Sequence, residues 1–153
     1  MEEIWKDIKG YEGLYKISNY GNIYIVKRNK LKKLTLNQDG YYFVFLSKND
    51  KKKSFLVHRL VAENFLNKND FKLTNDEIKE NININTLTVN HKNENKLDNT
   101  VNNLEWCTNK YNVIYSSKNR KNYKKIVNNI LEYVKKEKIS EKVRKDIIRL
   151  INN

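Results

Sequence analysis

Between residues 89 and 112 the chain reads VNHKNENKLDNTVNNLEWCTNKYN. This stretch holds His91, one of two histidines, the only cysteine, Cys107, and one of two tryptophans, Trp106. An imidazole near its ordinary pKa can take a proton from water at neutral pH. Two plainer readings compete with that chemistry. A lone histidine beside a strand is more often a hydrogen-bonded structural residue. Asparagines such as Asn93, Asn95, Asn99 and Asn102 are most simply turn formers in an Asn-rich composition. The choice depends on what elements position the imidazole.

Thr88 to His91 reads as a strand and Lys92 to Asn103 as a polar connection. Leu104-Glu105-Trp106-Cys107 reads as a second strand, its apolar Leu and Trp alternating with Glu and Cys. Thr108 suits the N-cap of a helix running through Tyr111, Asn112 and Val113. His91 thus falls on a strand and Asn112 near the start of a helix. Upstream, three of the four glycines lie in the first 21 residues. There LYKIS, NIYIVK and KKLTL read as a small β-meander, with Asn19-Tyr20-Gly21-Asn22 as a turn. YYFVFL and SFLVH flank the polar turn SKNDKKK as a hairpin. HRLVAENFL then takes a helical period, with Leu60, Val61, Phe65 and Leu66 on one face. His58 reads as a structural group joining hairpin to helix. Residues 67–86 read as a polar loop with a helical turn at NDEIKE. Lys118 to Lys138 read as a basic helix with the apolar stripe Ile126, Val127, Ile130, Leu131 and Val134. A second helix capped by Ser140, with Glu141 in its first turn, continues through Val143, Ile147 and Ile151.

The chain has 153 residues, 31 Lys+Arg against 18 Asp+Glu, and a formal net charge of +13. A field of that sign draws polyanions, and nucleic acid is the favoured partner over a membrane surface. Part of the excess reflects a composition rich in Lys, Asn and Ile, but that bias does not explain why acids are not equally abundant. Lys27, Arg28, Lys30, Lys32, Lys33, Lys51, Lys52, Lys53 and Arg59 are the candidate phosphate or groove contacts, most of them flanking hairpin turns. Trp5, Tyr11, Tyr15 and Trp106 read as core. A single cysteine excludes an internal disulfide and a Cys-rich zinc site. No apolar run approaches the ~20 residues of a membrane span. The first residues, MEEIWKDIKG, are not a signal peptide. The expectation is a soluble intracellular protein, in the cytoplasm or nucleus of a host.

Two stretches resemble one known family. IWKDIKGYEGLYKISNYGNIY is similar to the small DNA-binding module placed ahead of phage homing nucleases. VHRLVAENF followed by VNHKNENKLDNTVNNLEWCTNKYN resembles the HNH nuclease domain of those enzymes. Together they cover about residues 4–112. The resemblance implies an α+β architecture with an N-terminal β-meander/hairpin module over 1–38 and an HNH nuclease domain over 39–116; the basic two-helix tail over 117–153 lies outside it and rests on the helical periodicity alone. The ββα-metal (His-Me finger) unit of the nuclease would occupy about 87–116.

The resemblance also implies roles. His91 becomes the general base, Asn90 and Asn112 the metal ligands, and Asn103 the residue that braces the connection and orients the imidazole. One divalent metal ion is implied, Mg²⁺ with Mn²⁺ as substitute, and no small-molecule cofactor. The partner is double-stranded DNA, with no membrane, and the protein is expected to act as a monomer. Two positions depart from the family pattern. Position 90 is often Asp, so Asn at both 90 and 112 gives an uncharged ligand set. A turn that usually carries Gly has Glu94, where φ is expected positive. The leading reading is a metal-dependent homing-type DNA endonuclease. The alternatives are a decayed DNA-binding copy that keeps the fold, and an RNA-binding module.

Overall fold

The computed structural model describes residues 2–75, 77, 82–136, 143, 145–147 and 149. Apart from isolated residues, the expected NDEIKE turn and the second tail helix lie outside them. Residues Met1–Asn112 form one compact unit and Val113–Asn153 a second.

Short aromatic and β-branched pieces build the start of the first unit. Strands β1 (Trp5–Asp7), β2 (Tyr15–Ser18), β3 (Ile23–Ile25) and β4 (Lys30–Leu31) form an antiparallel sheet in chain order. The expected KKLTL strand (residues 32–36) shrinks to Thr35–Leu36 and joins a different sheet. Lys30 and Leu31 lie in the first sheet, while β5 (Thr35–Leu36) pairs with Phe43 and Tyr42 of the next. That second sheet joins β5 to the hairpin of β6 (Tyr42–Lys48) and β7 (Lys51–Leu56). The polar turn is shorter than the sequence suggested. Lys51–Lys53 lie on β7, and the loop is Asn49-Asp50 alone, with φ of 50° and 59°. Two left-handed residues make the type I′ geometry that matches strand twist, and Asn and Asp tolerate it.

Helix α1 (Val57–Phe65) follows β7 directly and buries Val57, His58, Leu60, Val61 and Ala62. Its apolar face packs on β2, β6, β7 and the later hairpin. Ile8, Ile17, Ile23, Val44, Leu46, Leu104 and Trp106 complete the same core. Each fully buried Leu, Ile or Val contributes about 1.5–3 kcal/mol relative to exposure. The N-terminal module therefore shares its core with the remainder of the unit. Gly21 is the tightest seam. At φ 85° a Cβ there would lie 3.0 Å from the Asn99 Cβ and 3.2 Å from a Val57 methyl. Next to it the Val101 amide donates to the Asn19 carbonyl at 2.8 Å.

Strands β8 (Thr88–His91) and β9 (Leu104–Cys107) form a third, two-stranded antiparallel sheet. Helix α2 (Asn109–Lys136) follows at once. Thr108 caps it as expected, its hydroxyl accepting from the Tyr111 amide at 3.1 Å. The sequence suggested a short helix here and a separate basic one from Lys118. They are one helix of 28 residues, because no Gly or Pro interrupts the run. Of its apolar stripe, Ile126 and Ile130 are exposed, while Val127 and Leu131 are half-buried. No helix among the described residues is long and apolar enough to cross a membrane.

Candidate functional site

The β8–β9 register is Thr88↔Cys107, Val89↔Trp106, Asn90↔Glu105 and His91↔Leu104. Strand alternation sends Val89, His91, Leu104 and Trp106 to one face and Thr88, Asn90, Glu105 and Cys107 to the other. His91 therefore faces the core, against the ring of Tyr41 at 5.9 Å and that of His58 on α1 at 5.1 Å. Asn90, one residue earlier, projects from the opposite face.

His91 is only 5% exposed. Its Nε2 lies 3.2 Å from Oδ1 of Asn99. An amide oxygen only accepts, so Nε2 carries the hydrogen and Nδ1 keeps the lone pair. Burial pushes the His91 pKa below its usual value, and the Asn99 bond and the Asp98 carboxylate oppose that shift. The imidazole is therefore neutral at pH 7, the form that accepts a proton. His58 is driven further, to about 3, first by burial and then by the charges of His91 and Arg59. Its Nδ1 is buried and has no hydrogen-bond partner.

Asn103 braces the connection, as anticipated. Its Oδ1 accepts from the Asn93 amide at 3.0 Å and its Nδ2 donates to the Asp98 carbonyl at 2.7 Å. Its carbonyl also accepts from the Lys92 amide at 2.8 Å, closing the hairpin beyond His91. The hydrogen bond to the imidazole comes instead from Asn99, which the sequence presented as a turn former. Composition hid this residue, since nothing local separates it from its neighbours. Asn93 and Asn95 are turn formers, their side chains accepting from the amides of Asn95 and Leu97. Glu94 takes the expected positive φ, at 60°. The turn closes nonetheless, with the Glu94 amide donating to the His91 carbonyl at 2.9 Å.

Asn90 is 5% exposed, and its Nδ2 donates to Oε1 of Glu105 at 2.8 Å. Asn112 is half-buried in the first turn of α2, its amide bonded to the Thr108 carbonyl at 3.0 Å. The oxygens of Asn90, Glu105 and Asn112 are hard donors of the kind that Mg²⁺ or Mn²⁺ takes. Among the described residues no group of three or more His, Cys, Asp and Glu is arranged for a metal. Amide and carboxylate oxygens suit a hard cation better than zinc, which favours nitrogen and sulfur. Cys107 is buried, and desolvation, with help from Glu105, raises its thiol to about 12.

The basic candidates lie at the surface, with Lys32 half-buried. Lys27 and Arg28 sit in a helical turn after β3, and Arg59 is on α1. On β7, Lys52 stands 4.2 Å over the ring of Phe45. Of the aromatics read as core, Trp106 is buried, Tyr11 and Tyr15 pack against the core, and Trp5 packs edge-on against Tyr24.

DNA endonuclease I-HmuI of Bacillus phage SP01 is 42% identical over 109 residues, 71% of this chain and 55% of the phage protein. The solved structure of the HNH homing endonuclease I-HmuI, described for its DNA binding and cleavage, matches with a TM-score of 0.62. That match has 40% identity and covers 78% of this chain and 59% of the other. The chain is homologous to HNH homing endonucleases. Residues 3–47 match the NUMOD4 motif. An HNH endonuclease of Acanthamoeba polyphaga mimivirus is also 42% identical, over 115 residues, 75% of this chain and 30% of the viral protein. The chain therefore spans little more than half of the phage relative and less of the viral one.

Proposed function

We propose that this HNH homologue is a DNA endonuclease that hydrolyses a phosphodiester bond with the help of a divalent cation. The observation that carries the reading is the state of His91. It is a neutral imidazole, fixed through Nε2 by Asn99, on the strand that opens the ββα unit. Hydrolysis needs a water to lose a proton as its oxygen attacks phosphorus, and Nδ1 of His91 takes that proton. Asn99 keeps the ring in one tautomer, and Asn103 holds the loop that carries Asn99. Asn90 and Asn112 would hold the cation, which when bound would neutralise phosphate charge and stabilise the leaving 3′ oxygen. Mg²⁺ suits their amide oxygens, with Mn²⁺ as a substitute.

Double-stranded DNA is the substrate. The support is the +13 charge, the exposed lysines and arginines around the hairpins, and the NUMOD4 match. The protein acts as a monomer, with the division into module, nuclease and tail described above. The test is conversion of supercoiled plasmid to nicked or linear form with Mg²⁺, Mn²⁺ or EDTA. Cleavage with either metal and none in EDTA is expected. Salt-sensitive DNA binding without cleavage under any metal would instead identify a decayed copy.

A further inference from the structure

We propose that Glu105 supplies the negative charge of the cation site, a charge that neither Asn90 nor Asn112 carries. This rests on the metal-dependent reading above. Antiparallel register sets Glu105 directly opposite Asn90, so the two side chains share one face of the hairpin. They touch there, with the Asn90 Nδ2 donating to Glu105 Oε1 at 2.8 Å. An amide held through its nitrogen has its oxygen fixed on the same carbon, so the bond orients both donors at once. Asn90 is buried and Glu105 half-buried, so the carboxylate is partly shielded from water. Its charge is felt locally, helping to raise the thiol of Cys107 on the same face.

Glu105 borders an open cleft of about 280 Å³ with Asp70, Lys92 and Trp106. Lys92 extends its ammonium to the Asn102 carbonyl at 3.0 Å. Affinity of oxygen sites for hard dications is set largely by the number of charged ligands. Two amides alone make a poor site. A carboxylate one strand across restores the charge that an Asp at position 90 would bring.

The sharper test separates charge from orientation. Glu105→Gln keeps an oxygen that accepts from Asn90 but removes the charge. Asn90→Asp/Glu105→Gln moves the charge across the ladder. Mn²⁺ binding to the DNA-free protein is read by electron paramagnetic resonance of free Mn²⁺, with circular dichroism to check folding. Glu105→Gln should weaken Mn²⁺ binding ~10–100-fold, and the double variant should recover most of it. Equal affinity of wild type and Glu105→Gln overturns the role of Glu105 and leaves the metal reading standing. A wild-type protein that binds no Mn²⁺ in the millimolar range overturns the metal reading and this inference with it.

Discussion

Replacing Asn99 by Asp leaves the shape of the contact to His91 unchanged and adds a charge at its end. In the wild type a neutral oxygen sits 3.2 Å from Nε2, and burial holds the His91 pKa below its usual value. An opposite charge at that distance raises a histidine pKa by about 1–3 units. Both residues are buried, at 5% and 4% exposure, so screening by water is weak. Each unit by which the raised pKa exceeds the pH lowers the neutral fraction about tenfold. Cleavage at pH 7 should therefore fall in proportion to the neutral fraction, and the acidic limb of the pH–rate profile should move upward. The stability effect has a definite sign. The wild-type histidine resists protonation when folded, so stability is present above pH ~6.5 and lost as pH falls. In the variant the folded pKa is raised instead. It gains stability below pH ~6.5, which is lost as pH rises through the folded pKa. Two measurements check this: single-turnover cleavage against pH, and a histidine NMR titration in a chain with only two histidines to assign. An acidic limb that stays in place while the NMR pKa of His91 rises would show that another group is the base.

Other expectations concern the scaffold. His58, with its pKa pushed to about 3, binds no proton when folded between pH 6.5 and 5 but does so when unfolded. Stability should fall with pH there by up to ~1.4 kcal/mol per unit for this residue, and His58→Leu should remove that slope in urea titrations. An unchanged slope would show that His58 is not held neutral. Gly21→Ala forces a side chain into a left-handed conformation and against Asn99 and Val57. It should cost about 1–3 kcal/mol in thermal or urea unfolding. A loss under ~0.5 kcal/mol would mean that the seam is looser than these distances imply.

The ββα unit and α1 were legible because their signals are local. Alternation in LEWC, the cap at Thr108 and the helical period of HRLVAENFL each act within a few residues. What escaped was set by partners far along the chain. Trp5–Asp7 is too short to announce itself, and becomes a strand only through its pairing with Tyr15–Ser18 and neighbouring contacts. Thr35–Leu36 leaves the first sheet because β6 offers it a partner. Lys51–Lys53 read as turn because they are polar, yet the Asn49-Asp50 loop leaves them on a strand. In the candidate site the motif marked His91, Asn90, Asn103 and Asn112. Asn99 and Glu105 were invisible to it, since their importance comes from a loop folding back and from cross-strand register.

His91 as the general base is tested most directly by a single substitution, His91→Ala, assayed for supercoiled-plasmid cleavage in Mg²⁺ alongside DNA binding in Ca²⁺. Cleavage should drop at least ~100-fold, the scale of a lost general base, while DNA affinity stays within about threefold. Cleavage by His91→Ala at the wild-type rate would contradict the assignment of His91 as the base, and with it the reading of this hairpin as the active site.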